Sequence, residues 1–454
     1  MTDPSVVEPA SAASGVETQV HALLPRALDD LARLVAMPSV ADGRHADAVS
    51  STAEEVVALF ADAGVADVRR VPTDDGTDAV IGHSPAPEGA PTVLLYSHYD
   101  VQPADPDEWA SPPWELTERD GRLYGRGAAD CKGNLVMLLT ALRALPQPWP
   151  VGVRVVCEGS EEMSLGGLGR LVGTDPDLFA ANTMLIADAG NIELGTPTVT
   201  TSLRGTGSVL VTVRTMAAPA HSGMYGGAAP DALAALVAML ATLRDDAGDT
   251  TVTGLDNTGT WDGADYPEDR FGGDAQVLPG VGLLGSGSVA DTVWARPAAT
   301  VLAIDAPSVA NVTAAIQHQA RAVVNLRVPP GQDAATAQQL LVRHLEAAAP
   351  WGAQVTVEPK TLGEAFRAGT QGPGFAALAA AMGVAFGREL VAAGQGGAIP
   401  LCNALASAHP GAEILLMGVE EPACHIHAAD ESVDPGELER TAVGVALMLA
   451  ELGT

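Results

Sequence analysis

Short apolar runs that alternate with stretches of helical period constrain the fold of this chain more than any other feature. Apolar residues recur at helical spacing from Val20 to Met37 and from Ala46 to Ala63, and Gly64 stops the second stretch. The strand-like run Pro91 to Ser97 follows. Helical Gly133 to Leu145 leads to the run Gly152 to Cys157, and helical Leu165 to Val172 leads to the run Thr183 to Ala187. Continuously apolar strands separated by helices predict an α/β architecture, with a mainly parallel sheet covered on both faces.

The pattern changes near Thr198. Val199 to Met216 alternates like a two-strand unit, and a helix is expected from Pro230 to Leu243. Thr250 to Pro297 is rich in Gly, Asp and Trp and reads as a long insertion with little regular structure. Strand-like Thr300 to Ile304 and Ala320 to Val328 precede a helical Ala334 to Ala348. Strands clustered around two helices read as α+β. Helix–strand alternation resumes after Gly363, so a second domain over 198–363 is expected to interrupt a first domain built from 1–197 and 364–454. The length of 454 residues fits such a division.

Charge excludes whole classes of partner. The formal net charge is −32, from 56 acidic against 24 basic side chains. A phosphate backbone or an anionic lipid surface needs a basic face, so neither nucleic acid nor membrane is an expected partner. The four cysteines, Cys131, Cys157, Cys402 and Cys424, include no Cys-x-x-Cys pair, which argues against a zinc ribbon or a disulfide framework. A cytoplasmic location fits. Met1 to Gly15 lacks a basic start and an apolar segment, so no signal peptide is expected, and no uninterrupted run of 18 apolar residues suggests a membrane span.

The residues able to do chemistry gather at the ends of the apolar runs, where ligands collect in open α/β sheets. Ser97-His98-Tyr99-Asp100 ends the first run. His98 and Asp100, two apart on an extended chain, share a face, and a histidine ligand commonly needs a carboxylate to fix its tautomer. A hydrogen-bonded surface pair is the plainer alternative. In Tyr124-Gly-Arg-Gly-Ala-Ala-Asp130, Asp130 precedes a helix, where it could be a ligand or simply an N-cap. Glu161 and Glu162 follow the second run; adjacent carboxylates are either solvated or balanced by a cation. Asp188 ends the third run as a ligand or an ordinary loop carboxylate, and Cys424-His425-Ile-His427 holds two of the ten histidines. Taken jointly, nitrogen and oxygen donors at successive strand ends suit a catalytic site for zinc, cobalt or manganese. Gly280-Val-Gly-Leu-Leu-Gly285 matches a dinucleotide glycine pattern but follows Pro279 and not a strand, and reads as a loop.

These residues belong to a longer ordered set: Ser97-His-Tyr-Asp-Val-Gln-Pro103, Tyr124 to Asp130, Glu158-Gly-Ser-Glu-Glu162, Asp188, His221-Ser-Gly-Met-Tyr-Gly-Gly227, Leu326-Arg-Val-Pro329, Gly396-Gly-Ala-Ile-Pro400 and His427-Ala-Ala-Asp-Glu-Ser432. In that order the set resembles metallopeptidase family 20, which includes aminoacylases, carnosinases, cytosolic dipeptidases, desuccinylases and glutamate carboxypeptidases. The first and fifth segments look most like the dipeptidase branch. The resemblance implies a di-metal catalytic domain with an inserted lid and dimerisation domain. It implies that Asp130 bridges two divalent ions, zinc foremost and manganese or cobalt otherwise. His98 and Asp188 would complete one ion, and Glu162 and His427 the other. Glu161 would be the general base toward a water held between them, and Asp100 would support His98. Arg327 would anchor the substrate carboxylate, and Ala398 lies in a substrate-binding stretch. His221 would act across a homodimer interface. A cis peptide between Asp130 and Cys131 is also implied.

The substrate expected from this resemblance is a dipeptide or similar small amide with a free carboxylate. An N-acyl amino acid deacylase or a carboxypeptidase is the alternative, and a non-catalytic binding protein on the same fold is a remote one. The chain departs from the resemblance in two places. Asp430 stands where the family usually has Asn. Gly394-Gln-Gly-Gly-Ala398-Ile-Pro stands where a dipeptidase often reads Arg-Glu-Gly-Gly-Ser-Ile-Pro, so the departures touch substrate choice and not the metal donors.

Overall fold

The computed structural model describes residues 9–397 and 399–454; Ala398, a candidate substrate-binding residue, lies outside the described residues. The chain divides into two compact units. The first runs to Thr201 and takes up Ala368–Ala393 and Leu401–Thr454; the second is Ser202–Arg367 with Gly394–Pro400.

In the first unit the strands lie in the order Arg69–Pro72, Asp78–Ser84, Gly152–Glu158, Thr92–His98, Thr183–Ala187, Glu413–Met417 and Thr198–Leu203. The inner pairs are parallel: Thr92–His98 with both Gly152–Glu158 and Thr183–Ala187, and the latter with Glu413–Met417. The pairings toward either edge are antiparallel. The fold is therefore α/β with a mainly parallel central sheet, as the alternation predicts. Val93, Leu94, Leu95 and Tyr96 are fully buried on both sides of their strand, which is why that run carries no polar alternation.

Helix Lys132–Ala144 is mostly apolar, and every residue but Arg143 is buried. It packs against the helices Pro9–Val35 and Pro435–Leu452, and a helix without a polar face is stable only in such a position. Its first residue, Lys132, is a fully buried charge whose Nζ donates to Leu34 O at 2.8 Å and Met37 O at 2.7 Å, holding the C-terminal end of the first helix. The hairpin Arg69–Pro72 with Asp78–Ser84 is not in the sequence reading; it turns on Asp74-Asp75-Gly76.

The second unit is an antiparallel sheet in the order Ala298–Asp305, Gln319–Val328, Gly205–Arg214 and Gln354–Gly363. Val209, Val211 and Val213 alternate into a core with Leu236 and Met239 of helix Ala232–Ala241 and Leu341 and Leu345 of helix Ala334–Ala347. Both helices start on an aspartate N-cap, Asp231 and Asp333. The stretch read as having little regular structure carries one short α-helix, Glu268–Asp274, a short turn of helix at Asp291–Ala295 and a packed aromatic cluster. Trp294 meets Trp261 edge-on at 5.2 Å and stacks on Tyr266 at 5.4 Å. Aromatic packing of this kind has no periodic signature.

Candidate metal centre

Four parallel strands of the first unit end side by side, and the residues just past their carboxyl ends converge. His98 is the last residue of its strand and is fully buried. Its Nδ1 faces Asp100, 3.1 Å from the carbonyl oxygen and 3.3 Å from Oδ1. Asp100 accepts a hydrogen bond from Nδ1–H, which keeps the proton on Nδ1 and leaves the Nε2 lone pair free to bind. Nε2 lies 3.0 Å from Asp130 Oδ1 and 3.3 Å from Asp188 Oδ1. On the other side, His427 Nε2 lies 3.0 Å from Asp130 Oδ2 and 3.0 Å from Glu162 Oε2. Asp130 thus offers one oxygen to each imidazole. Its donor atoms fall in two groups, one with His98 and Asp188 and one with Glu162 and His427, within 4.8 Å in each.

Asp100 does more than orient His98. Its two carboxylate oxygens accept from the backbone N–H groups of Glu161 and Glu162, each at 3.0 Å. One buried side chain therefore sets both the first histidine and the adjacent glutamates. Gln102 Nε2 donates to Glu162 Oε2 at 2.9 Å and turns that carboxylate toward His427.

The electrostatics call for cations. Burial and then the charge of Asp188 push the Glu161 carboxyl well above the usual carboxylate range. Asp130 is held low despite its burial, because His427 and His98 both hydrogen-bond to it. His427 is raised to about 10 by its hydrogen bonds to Asp130 and Glu162. An imidazole that favours its charged form so strongly occupies ground where positive charge is stabilised. Buried carboxylates in this number are costly unless paired with cations.

The chain matches the model of peptidase family M20/M25/M40 over residues 94–451. It belongs to that family. It is 44% identical over 416 residues to a cysteinylglycine-S-conjugate dipeptidase of Corynebacterium striatum, covering 90% of this chain and 91% of that protein. A Cys-Gly metallodipeptidase of Schizosaccharomyces pombe is 32% identical over 278 residues, 55% of this chain and 58% of that one. Among solved structures, human carnosine dipeptidase 1 superposes with a TM-score of 0.80 at 22% identity, covering 98% of this chain and 100% of that one. The chain is thus an enzyme of the M20 peptidases, and the dipeptidase branch is the one it resembles.

In this family M20 peptidase, Cys131 also falls within reach of His98, Asp130 and Asp188. Its Sγ donates to Ala187 O at 2.9 Å, and burial holds the thiol well above its ordinary pKa. The Asp130–Cys131 peptide is cis, as the resemblance implies. His221 and Arg327 belong to the second unit. His221 is exposed, and its Nδ1 accepts from Gly223 N at 3.1 Å. Arg327 is half-buried near the end of strand Gln319–Val328.

The sequence reading assigned no role to Glu431, yet this fully buried carboxylate organises the loop that carries Asp130. It accepts from Arg126 Nη1 at 2.8 Å and from the backbone N–H groups of Gly127, Ala129 and Asp130, each at 3.0 Å. Its place beside Asp430 carries no local pattern that would distinguish it from a solvated acid. Asp430 itself accepts from Arg119 Nη2 at 2.9 Å and Ala110 N at 3.1 Å. The guanidinium of Arg119, which lies 3.8 Å over the Tyr124 ring, balances the charge that this departure introduces.

Proposed function

We propose that this M20 peptidase is a dipeptidase that hydrolyses the amide bond of small peptides with a free carboxylate, with two divalent ions and Glu161 as general base. The observation that carries this is the split of Asp130, whose two oxygens each lie 3.0 Å from a different imidazole. Two nitrogens and three carboxylates without thiolate match the donors that zinc, manganese and cobalt accept. His98, Asp130 and Asp188 would hold one ion, and Asp130, Glu162 and His427 the other. When bound, the pair would polarise a substrate carbonyl and acidify a water.

The chain's own groups supply the rest. The Glu161 carboxylate takes a proton from the attacking water and returns it to the leaving amine. Asp100 keeps His98 in the right tautomer and fixes the backbone of Glu161. Glu431 holds the loop that carries Asp130. Arg327 offers a charge-assisted partner for the substrate carboxylate. His221 donates to the developing oxyanion from a second copy of the chain, and the second unit serves as lid and dimerisation domain. Relatives named for Cys-Gly and Cys-Gly-conjugate cleavage favour a dipeptide with a small C-terminal residue. A cytoplasmic location accords with four free cysteines and with the absence of any described helix long and apolar enough to cross a membrane.

A release assay over dipeptides, tripeptides and N-acyl amino acids, with metal supplied, tests the reading. Dipeptides should turn over fastest. Preferential release from N-acyl amino acids or from longer peptides would replace it with a deacylase or carboxypeptidase.

A further inference from the structure

The hairpin of Arg69–Pro72 with Asp78–Ser84 buries little of its outer strand, so core packing alone does not account for it. Its turn carries Asp75, whose two carboxylate oxygens face different parts of the first unit. Oδ1 accepts from Thr73 Oγ1 at 2.7 Å, Thr77 Oγ1 at 2.8 Å and Thr77 N at 3.0 Å, all within the turn. Oδ2 accepts from Ser160 Oγ at 2.8 Å and Gly167 N at 3.0 Å, which lie 85 and 92 residues further along the chain. Those two donors bracket Glu161 and Glu162. One oxygen fastens the carboxylate to the hairpin, and the other ties together both ends of the loop that carries the adjacent glutamates.

That loop needs such a tie. Between strand Gly152–Glu158 and helix Gly167–Thr174 the chain has neither helix nor strand. Ser164 and Gly166 take positive φ, near 50° and 73°. A segment without a hydrogen-bond ladder opens readily unless its ends are held. Asp100 holds the backbone of Glu161 and Glu162 from the inner side, each N–H at 3.0 Å. Asp75 holds the ends. Ser160 is 1% exposed, and a Cβ on Gly167 would stand 1.9 Å from Asp75 Oδ2, so the close approach depends on glycine there. Burial opposes the charge of Asp75, but hydrogen bonds from Thr73, Thr77 and Ser160 outweigh it and keep the carboxyl below its ordinary range. Asp74 adds a weaker link: it pairs with Arg170 Nη2 at 2.6 Å, but both side chains are about half exposed, and exposed pairs contribute little.

We infer that Asp75 is a positioning residue, a strap from the edge hairpin that fixes the loop carrying Glu161 and Glu162. This rests on the dipeptidase reading above. Asp75 touches neither substrate nor metal donors; it acts through Ser160 and Gly167.

The test pairs kinetics on one dipeptide with amide hydrogen exchange. Asp75→Ala should lose about 10- to 100-fold in kcat with KM within about twofold, since misplacing a catalytic group by an ångström can cost on the order of a hundredfold. Asp75→Asn barely changes volume, but an amide presents donors on one side, where all five partners of Asp75 are donors, so it should lose kcat in the same sense. Arg170→Ala should keep wild-type kcat and KM. Exchange needs no turnover: in Asp75→Ala it should quicken over 159–166 by on the order of tenfold, and stay at the wild-type rate in strand Thr92–His98 and helix Lys132–Ala144. Wild-type kcat in Asp75→Ala, or unchanged exchange over 159–166, overturns the inference. So does faster exchange shared by that strand and helix, which marks a general loss of stability, and so does an equal loss of kcat in Arg170→Ala. If wild type cleaves no dipeptide, the dipeptidase reading fails, while exchange over 159–166 still decides whether Asp75 holds the loop.

Discussion

Glu161 and Glu162 are neighbours in sequence with different partners, and that difference separates their expected phenotypes. Glu162 Oε2 is 3.0 Å from His427 Nε2 and belongs to a donor group. Glu161 belongs to neither donor group. Glu161→Gln should keep both metals and lose roughly 10²–10⁴-fold in turnover, the usual worth of general-base catalysis. Glu162→Gln should lower metal occupancy first. Metal analysis beside steady-state rates checks both, and reversed phenotypes would mean the pair is assigned the wrong way round. A third residue, Glu431, should matter without touching substrate. Its loss in Glu431→Ala would leave the Arg126 guanidinium, 3% exposed, buried beside no carboxylate. Removing one member of such a pair typically costs about 3–5 kcal/mol, so denaturant unfolding should show a loss of that order, with weaker metal binding. The contrast between these residues shows what sequence can reveal. His98, Asp130 and Asp188 stand where an apolar run or a glycine turn ends, which is a local pattern. Glu431 acts on residues some 300 positions earlier, and no local pattern encodes that distance.

At the scale of elements, the centre is an outcome of sheet order. Strands ending at His98, Glu158, Ala187 and Met417 are parallel neighbours, so the loops after them meet. The run of apolar residues predicts each strand, but not which strand lies beside which; that depends on crossovers the sequence does not mark. The loop with His427 is shaped differently. His425, His427 and Asp430 all take positive φ, near 52°, 62° and 58°, a region that non-glycine residues seldom occupy. Helix Lys132–Ala144 packs close against the loop that carries Asp130 at Gly133. A Cβ there would stand 2.2 Å from Ala128 O, a backbone atom that cannot swing away. Gly133→Ala should therefore destabilise the protein by about 1–3 kcal/mol, in the range of overpacked cores, and weaken metal binding because Asp130 sits on the displaced loop. Calorimetry and metal titration of the variant decide this; wild-type stability and affinity together would show that the loop can yield. The hairpin at 69–84 and the aromatic cluster at 261–294 escaped the sequence reading for distinct reasons. The first has a short, exposed outer strand, and the second is held by side-chain stacking without any period.

The whole molecule should respond to metal as a unit, and should work as a pair. A chelator is expected to abolish activity and lower the unfolding temperature, and zinc, manganese or cobalt to restore both. Ligand present at a thousand times its Kd adds about 4 kcal/mol of stability per site, so the shift should be large and dependent on concentration. Full-rate turnover by exhaustively stripped protein would refute the di-metal reading. The dimer is tested through His221. It is exposed on the second unit and followed by Ser222–Tyr225 with Met224 72% and Tyr225 53% exposed, which suits a surface covered by another chain. If His221 donates to the oxyanion of the neighbouring copy, its loss removes a positioned donor worth roughly 3 kcal/mol in the transition state. His221→Ala should then cut turnover about a hundredfold or more while metals and fold remain. Mixing that variant with Glu161→Gln and allowing subunits to exchange gives a sharper outcome. Each mixed dimer holds one centre with Glu161 from one chain and His221 from the other, so activity should partly return. A mixture as inactive as its parents, with exchange proven by mass-labelled chains, would place the action of His221 within its own chain.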